Sequence, residues 1–120
     1  MIEDRVLSLL SDPMFEALAR CSRPQYGYGF VEPVAVVVQK AGGIRVVVRL
    51  RRERPHDNLR STNRFAVLNE QGQWSRTEPF VGLSDVAYHL RHTGWGDATL
   101  TPADDNMLRT VKRLEKMLKN

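Results

Sequence analysis

The chain has 120 residues, of which 42% are apolar and 27% charged, and it carries a net charge of +4. This length can bury a core without disulfides or a structural metal, and the single cysteine, Cys21, excludes an internal disulfide and favours a reducing compartment. No apolar run is long enough to span a membrane and no signal peptide is visible. We therefore expect one compact domain over residues 1–120, located in the cytoplasm.

The N-terminal residues 2–21 have apolar side chains at helical spacing, which predicts a helix in two pieces. Asp12 and Pro13 supply an N-cap and a proline at the first helical position of the second piece. Whether Pro13 breaks the helix or only kinks it stays open, because its ring would clash with the carbonyl of Leu9 in a straight helix. Cys21 is interpreted as a small buried residue rather than a catalytic thiol. The predicted stripe is Ile2, Val6, Leu9, Leu10, Met14, Ala17, Leu18 and Cys21.

A valine-rich stretch over residues 30–54 predicts a β-hairpin with its turn at Gly42 and Gly43. A three-residue loop, 41–43, would pair Val38 with Val46 and Val36 with Val48 and would place every apolar partner on one face. The opposite face would then carry an arginine row. The row is formed by Arg45, Arg49 and Arg51. The other residues of this face are Ala35, Val37, Gln39 and Val47.

Residues 64–68 and 73–77 predict a second hairpin, joined by a turn at 69–72. In the preferred register Phe65, Val67 and Trp74 share a face.

Two helices are predicted after the strands. The first begins with Ser84 as N-cap and ends at residue 92 or 93, with Gly94 as the stop and Trp95 folding back on it. Its inner face is Val86, Ala87 and Leu90. The second begins at residues 101–104. Its apolar stripe is Met107, Leu108, Val111, Leu114 and Leu118.

These elements predict an α+β domain: a four-stranded antiparallel sheet of two hairpins, flanked by an N-terminal helix and two C-terminal helices in the order α-β-β-β-β-α-α. We expect the helices to cover the valine face and to leave the face with Arg45, Arg49 and Arg51 open.

Basic residues are concentrated in two segments. Residues 45–64 hold seven arginines against two acidic residues, and residues 109–120 hold five basic residues against Glu115. Arginine binds phosphate in a bidentate manner, so the first segment indicates a polyanionic partner. A GC-rich genome would enrich arginine without any function, and the second segment is interpreted as a solvated helix face.

The charge pattern predicts a non-catalytic binding module that contacts nucleic acid through phosphates, without base-specific recognition. The competing interpretation is a protein-interaction module, such as an adaptor, inhibitor or assembly factor. It would dock the same face on an acidic protein or form a homodimer through Ala35, Val37 and Val47. The predicted contact residues are Arg45, Arg49, Arg51, Arg52, Arg54, Arg60 and Arg64, with Tyr26 and Tyr28 as stacking groups.

Motifs for catalysis, cofactors or metals are weak. The sequence has no P-loop, dinucleotide fingerprint or nucleophile elbow, so neither an enzyme nor a cofactor is expected. His89 and His92 lie three residues apart on a predicted helix, and His56 and Asp57 could join them. Two ligands do not make a metal site, and nothing in the sequence brings the second pair near.

Overall fold

A four-stranded antiparallel sheet forms the frame of the computed structural model, which describes residues 28–52, 64–71, 73–76 and 79–119. The side chains of residues 28–32, 51 and 52 lie outside the described part, as does the helix predicted over 2–21. The spatial strand order is β3-β2-β1-β4. The elements are β1 (Tyr28–Val38), β2 (Ile44–Arg52), β3 (Arg64–Leu68), α1 (Leu83–His92), β4 (Thr99–Pro102), a 3₁₀ turn (Asp105–Met107) and α2 (Leu108–Lys119).

The β1–β2 hairpin is present, but its turn is longer than predicted. Val38 pairs with Ile44 and Val36 with Val46, so the turn is the five residues 39–43. Two backbone hydrogen bonds close it, from Gly42 N to Gln39 O and from Gln39 N to Gly43 O, each 2.9 Å. The predicted register was wrong by two residues. A shift of two leaves each side chain on its predicted face, because the pleat has a period of two.

The fourth strand is not where the sequence predicted it. Within residues 73–76, Trp74 makes one isolated bridge to Leu68, and it packs on the opposite face from Phe65 and Val67. The fourth strand of the sheet is β4, which pairs with the outer edge of β1 through Val37–Leu100 and neighbouring pairs. It separates the two helices along the chain, so the described order is β-β-β-α-β-α.

Both helices have buried stripes close to the predicted ones. In α1 the buried residues are Leu83, Val86, Ala87 and Leu90; its N-cap is Gly82 rather than Ser84. The second helix starts later than predicted, because Asp104 caps the 3₁₀ turn by accepting a hydrogen bond from Met107 N. Leu108, predicted to be buried, is 45% exposed. No helix in the described ranges is long and apolar enough to cross a membrane.

The helices pack on the sheet face opposite to the predicted one. Their buried side chains form one cluster with Ala35, Val37 and Val47, the face that also carries Arg45 and Arg49. A second apolar cluster occupies the other face. Val34 belongs to the helix side because the β1–β2 pairing is irregular between Pro33 and Ala35. We call these the helix face and the second face.

The members of the second-face cluster are Val36, Ile44, Val46, Val48, Leu50, Ala66 and Leu68, with Val38 and Trp74 at its border.

Glycine 42 supplies the reversal of the hairpin, and its substitution gives a direct test of the turn. Its φ is +97°, a left-handed conformation that costs an L-residue about 1–2 kcal/mol. We expect Gly42→Ala to lower the free energy of unfolding by about 1 kcal/mol in denaturant titrations. Gly96→Ala is the matched control, since its φ is not positive and an added Cβ would meet only ordinary contacts with Arg91. Equal stability of the two variants would contradict the left-handed conformation of Gly42.

Candidate polyanion-binding surfaces

The arginine row of β2 does not form an open surface. Arg45 and Arg49 are half-buried and lie on the helix face. The guanidinium carbon of Arg45 lies 4.8 Å from the ring centre of Trp95, and its Nη1 donates to the carbonyl of Ile44 at 2.9 Å. The guanidinium therefore lies over an aromatic ring at the border of the core, in a cation–π contact.

The other predicted contact residues give little support to a site on the sheet. Arg64 begins β3 and is half-buried, with its Nη1 buried and lacking a hydrogen-bond partner among the described residues. Arg51, Arg52 and Tyr28 are placed by their backbone only, with Arg52 opposite Tyr28 and Arg51 opposite Phe30. Arg54, Arg60 and Tyr26 lie outside the described residues. Of the nine predicted residues, the three with described side chains are all half-buried.

A basic and aromatic corner lies at the junction of β2, the 73–80 segment and α1. The guanidinium carbon of Arg76 lies 4.0 Å from the ring centre of Phe80, and Phe80 lies 5.0 Å from the His89 ring, tilted at 49°. Arg76 Nη2 donates to the carbonyl of Pro79 at 2.9 Å. These contacts hold the exposed Arg76 side chain over an aromatic ring.

The charge at this corner acts on His89. Partial burial lowers the pKa of His89 below its usual 6.5, and the positive charges of Arg76 and Arg45 lower it further. A neutral imidazole is favoured because both causes penalise the imidazolium. At neutral pH the neutral form of His89 therefore predominates.

The second histidine of α1 faces a different neighbour. His92 stacks on Tyr88 with ring centres 3.9 Å apart, and its Nδ1 is 2.8 Å from the Tyr88 carbonyl. His89 instead contacts Phe80, so the two histidines are engaged separately. Within the described residues, no three histidine, cysteine or acidic side chains are close enough to hold a metal. His56 and Asp57 lie outside those residues.

Among the residues that the structure describes, an exposed concentration of positive charge lies on α2. Its buried stripe, Val111, Leu114 and Leu118, faces the sheet and α1. The opposite side carries four exposed cations. We call this set the α2 basic face: Arg109, Lys112, Arg113 and Lys116.

The spacing of these cations makes a continuous strip. Positions i, i+3, i+4 and i+7 fall on one side of a helix, and they extend over about 10 Å of its axis at about 1.5 Å per residue. A shallow groove of about 370 Å³ runs along the strip, bordered by these four residues and by Leu108. Glu115, the acidic residue of this helix, is half-buried beside the strip. The strip is suited to an extended anion.

The sequence contained a signal for the α2 basic face but none for the corner around His89. The cations of residues 109–116 recur at i, i+3, i+4 and i+7 in the sequence. Exposed cations on a helix are usually only solvated, so the sequence alone favours a solvated helix face. The corner around His89 could not be predicted, because its members come from positions 45, 76, 80, 89 and 95 and meet only through the tertiary fold.

In comparisons with known proteins, no protein-family model, no curated protein and no solved structure matches this chain.

The corner predicts how His89 responds to its neighbours. Arg76→Gln removes one of the two positive charges acting on His89, so we expect the pKa of His89 to rise toward 6.5, measured by NMR titration of the imidazole resonances. Arg91→Gln, an exposed cation on the same helix, is the control and should leave the titration unchanged. If both variants change the pKa of His89 equally, the charge of Arg76 has no particular effect on His89.

The same shift predicts the pH dependence of stability. Because folding lowers the pKa of His89, the unfolded chain binds the proton more readily. The contribution of His89 to the free energy of unfolding is therefore fully present above pH 6.5 and is lost as the pH falls through the two pKa values. We expect His89→Gln to remove this part of the pH dependence in denaturant titrations between pH 7.5 and about 5. An unchanged pH profile would show that His89 titrates alike in both states.

Proposed function

We propose that this protein is a cytoplasmic, non-catalytic module that binds nucleic acid through phosphate contacts made by the α2 basic face. The observation that carries the proposal is the strip of four exposed cations bordering one groove. The sheet arginines are a weaker choice, because Arg45 and Arg49 are half-buried on the helix face. The proposed contact surface therefore lies on α2, whereas the sequence predicted one on the sheet.

The physical fit is electrostatic. Each strand of a duplex presents a phosphate about every 3.4 Å along the axis, so a strip about 10 Å long faces about three phosphates. Arginine and lysine both make charge-assisted hydrogen bonds to phosphate oxygens. Exposed Leu108 adds apolar contact at one end of the groove. Contacts to phosphates carry no sequence information, so we propose binding with little sequence preference.

Charge reversal on the α2 basic face tests the surface. We expect Lys112→Glu with Lys116→Glu to weaken binding to labelled single- and double-stranded DNA and RNA at least about tenfold, measured by fluorescence anisotropy. The slope of log K against log salt should become shallower by about two, because each lost phosphate contact removes roughly one unit. Circular dichroism should be unchanged, since both lysines are exposed.

A matched control separates a local effect from net charge. Lys40→Glu with Arg91→Glu makes the same change in charge at exposed positions on the hairpin turn and on α1. We expect a smaller loss of affinity in this variant. Equal losses in the two double variants would show that only net charge matters and would overturn the α2 assignment.

Two further outcomes test the other binding site and the other kind of partner that the sequence suggested. If Arg54→Glu with Arg60→Glu abolishes binding while the α2 variant binds normally, nucleic-acid binding stands and its site is the 52–64 segment. If the wild-type chain binds no nucleic acid even at low salt, the proposal fails. An acidic protein partner for the same cations, as in an adaptor, inhibitor or assembly factor, then becomes the interpretation to test.

A further inference from the structure

Two aromatic side chains form an exposed stack on the outer side of α1. Tyr88 is 58% exposed, and the ring of His92, one helical turn further on, stacks on it. The ring centres are 3.9 Å apart and the planes are inclined by 25°. The buried side of α1 carries Val86, Ala87 and Leu90, so the stack lies on the side of the helix that faces away from the core. We call Tyr88 and His92 the aromatic stack.

The helix backbone fixes the orientation of the aromatic stack. Nδ1 of His92 lies 2.8 Å from the carbonyl oxygen of Tyr88. A carbonyl oxygen only accepts hydrogen bonds, so Nδ1 carries the proton and donates it. Among the described residues, the ring of His92 is the one aromatic ring in contact with Tyr88. The exposed tyrosine ring is therefore held in one orientation and is accessible to a planar ligand.

The aromatic stack and the α2 basic face belong to the same outer surface of the protein. The two helices pack against each other, and the buried side chains of both belong to the cluster on the helix face of the sheet. The axes of packed helices are about 8–10 Å apart. Both features lie opposite the buried stripes of their helices. The exposed rings therefore lie on the helix next to the cations.

An exposed aromatic ring next to a strip of cations is the combination that proteins use to bind single-stranded nucleic acid. The cations bind phosphates, and unpaired bases stack on the ring because every base has a π-face. In a duplex the base faces are covered by the neighbouring base pairs, whereas the bases of a single strand can be unstacked and bound. A pair of side chains one turn apart also stabilises its own helix, so the experiment has to separate these two roles.

We propose that Tyr88, supported by His92, stacks on an unpaired base, and that the preferred substrate class of this protein is single-stranded nucleic acid. The inference rests on the proposed function, because it adds a base contact to the phosphate contacts of the α2 basic face. Stacking tolerates every base. The aromatic stack therefore favours unpaired strands over duplexes without adding a preference for sequence.

A strand without bases tests the proposal. Fluorescence anisotropy compares a labelled oligothymidylate with an abasic strand of the same length, which has the same phosphates. We expect the wild-type chain to bind the strand with bases at least about fivefold more tightly, because stacking adds affinity for each base bound. Tyr88→Leu removes the ring and keeps an apolar side chain, so it should bind both strands equally. Tyr88→Phe keeps the ring and should keep the preference.

Two controls separate base stacking from other effects. Val81→Ala removes another exposed apolar side chain and should keep the preference. Lys112→Glu with Lys116→Glu removes phosphate contacts alone, so it should weaken binding to both strands by the same factor.

The outcomes distinguish this inference from the proposed function. If the wild-type chain binds both strands equally, or if Tyr88→Leu keeps the wild-type preference, the inference is overturned while phosphate binding by α2 stands. If the wild-type chain binds neither strand, both proposals fail.

Discussion

The sheet is buried on both faces, and the rest of the structure depends on that burial. Val34, Ala35, Val36 and Val37 have no exposed surface, although neighbouring residues of a strand point to opposite faces. Strand β1 is also paired along both edges, with β2 and with β4. Such a strand needs apolar side chains at every position, and the uninterrupted run V-A-V-V-V provides them. The other strands and both helices are arranged around it.

This constraint decides where the arginines can lie. On a sheet closed by helices, a charged head cannot stay over the centre of a face, because burying an unpaired charge is costly. Arg45 therefore extends over Trp95 at the border, and its head reaches the Ile44 carbonyl. An arginine row in the sequence is thus compatible with a covered face when aromatic rings lie at its edge. The outer side of a helix carries no such constraint, and the cations of α2 are exposed there.

Local periodicity predicted the elements that are long enough to show it. β1, β2 and β3 and the buried stripes of both helices were predicted from spacing alone. β4 was missed because its four residues, T-L-T-P, are too short to show a pattern and pair with β1 more than sixty residues away. The helix face was assigned wrongly because alternation on β2 was given more weight than the continuous run on β1. That run was the available signal, since it is typical of a strand covered on both sides.

The two sides of α2 have separate roles, and this bears on the candidate binding surface. Val111, Leu114 and Leu118 are buried against the rest of the core, whereas the cations on the opposite side are exposed to water. Surface substitutions away from buried contacts usually change stability by no more than about 0.5 kcal/mol. The charge of this helix can therefore be altered without loss of the fold, and a loss of binding would report on the surface itself. The sheet arginines lack this independence, because the guanidinium of Arg45 lies over the ring of buried Trp95.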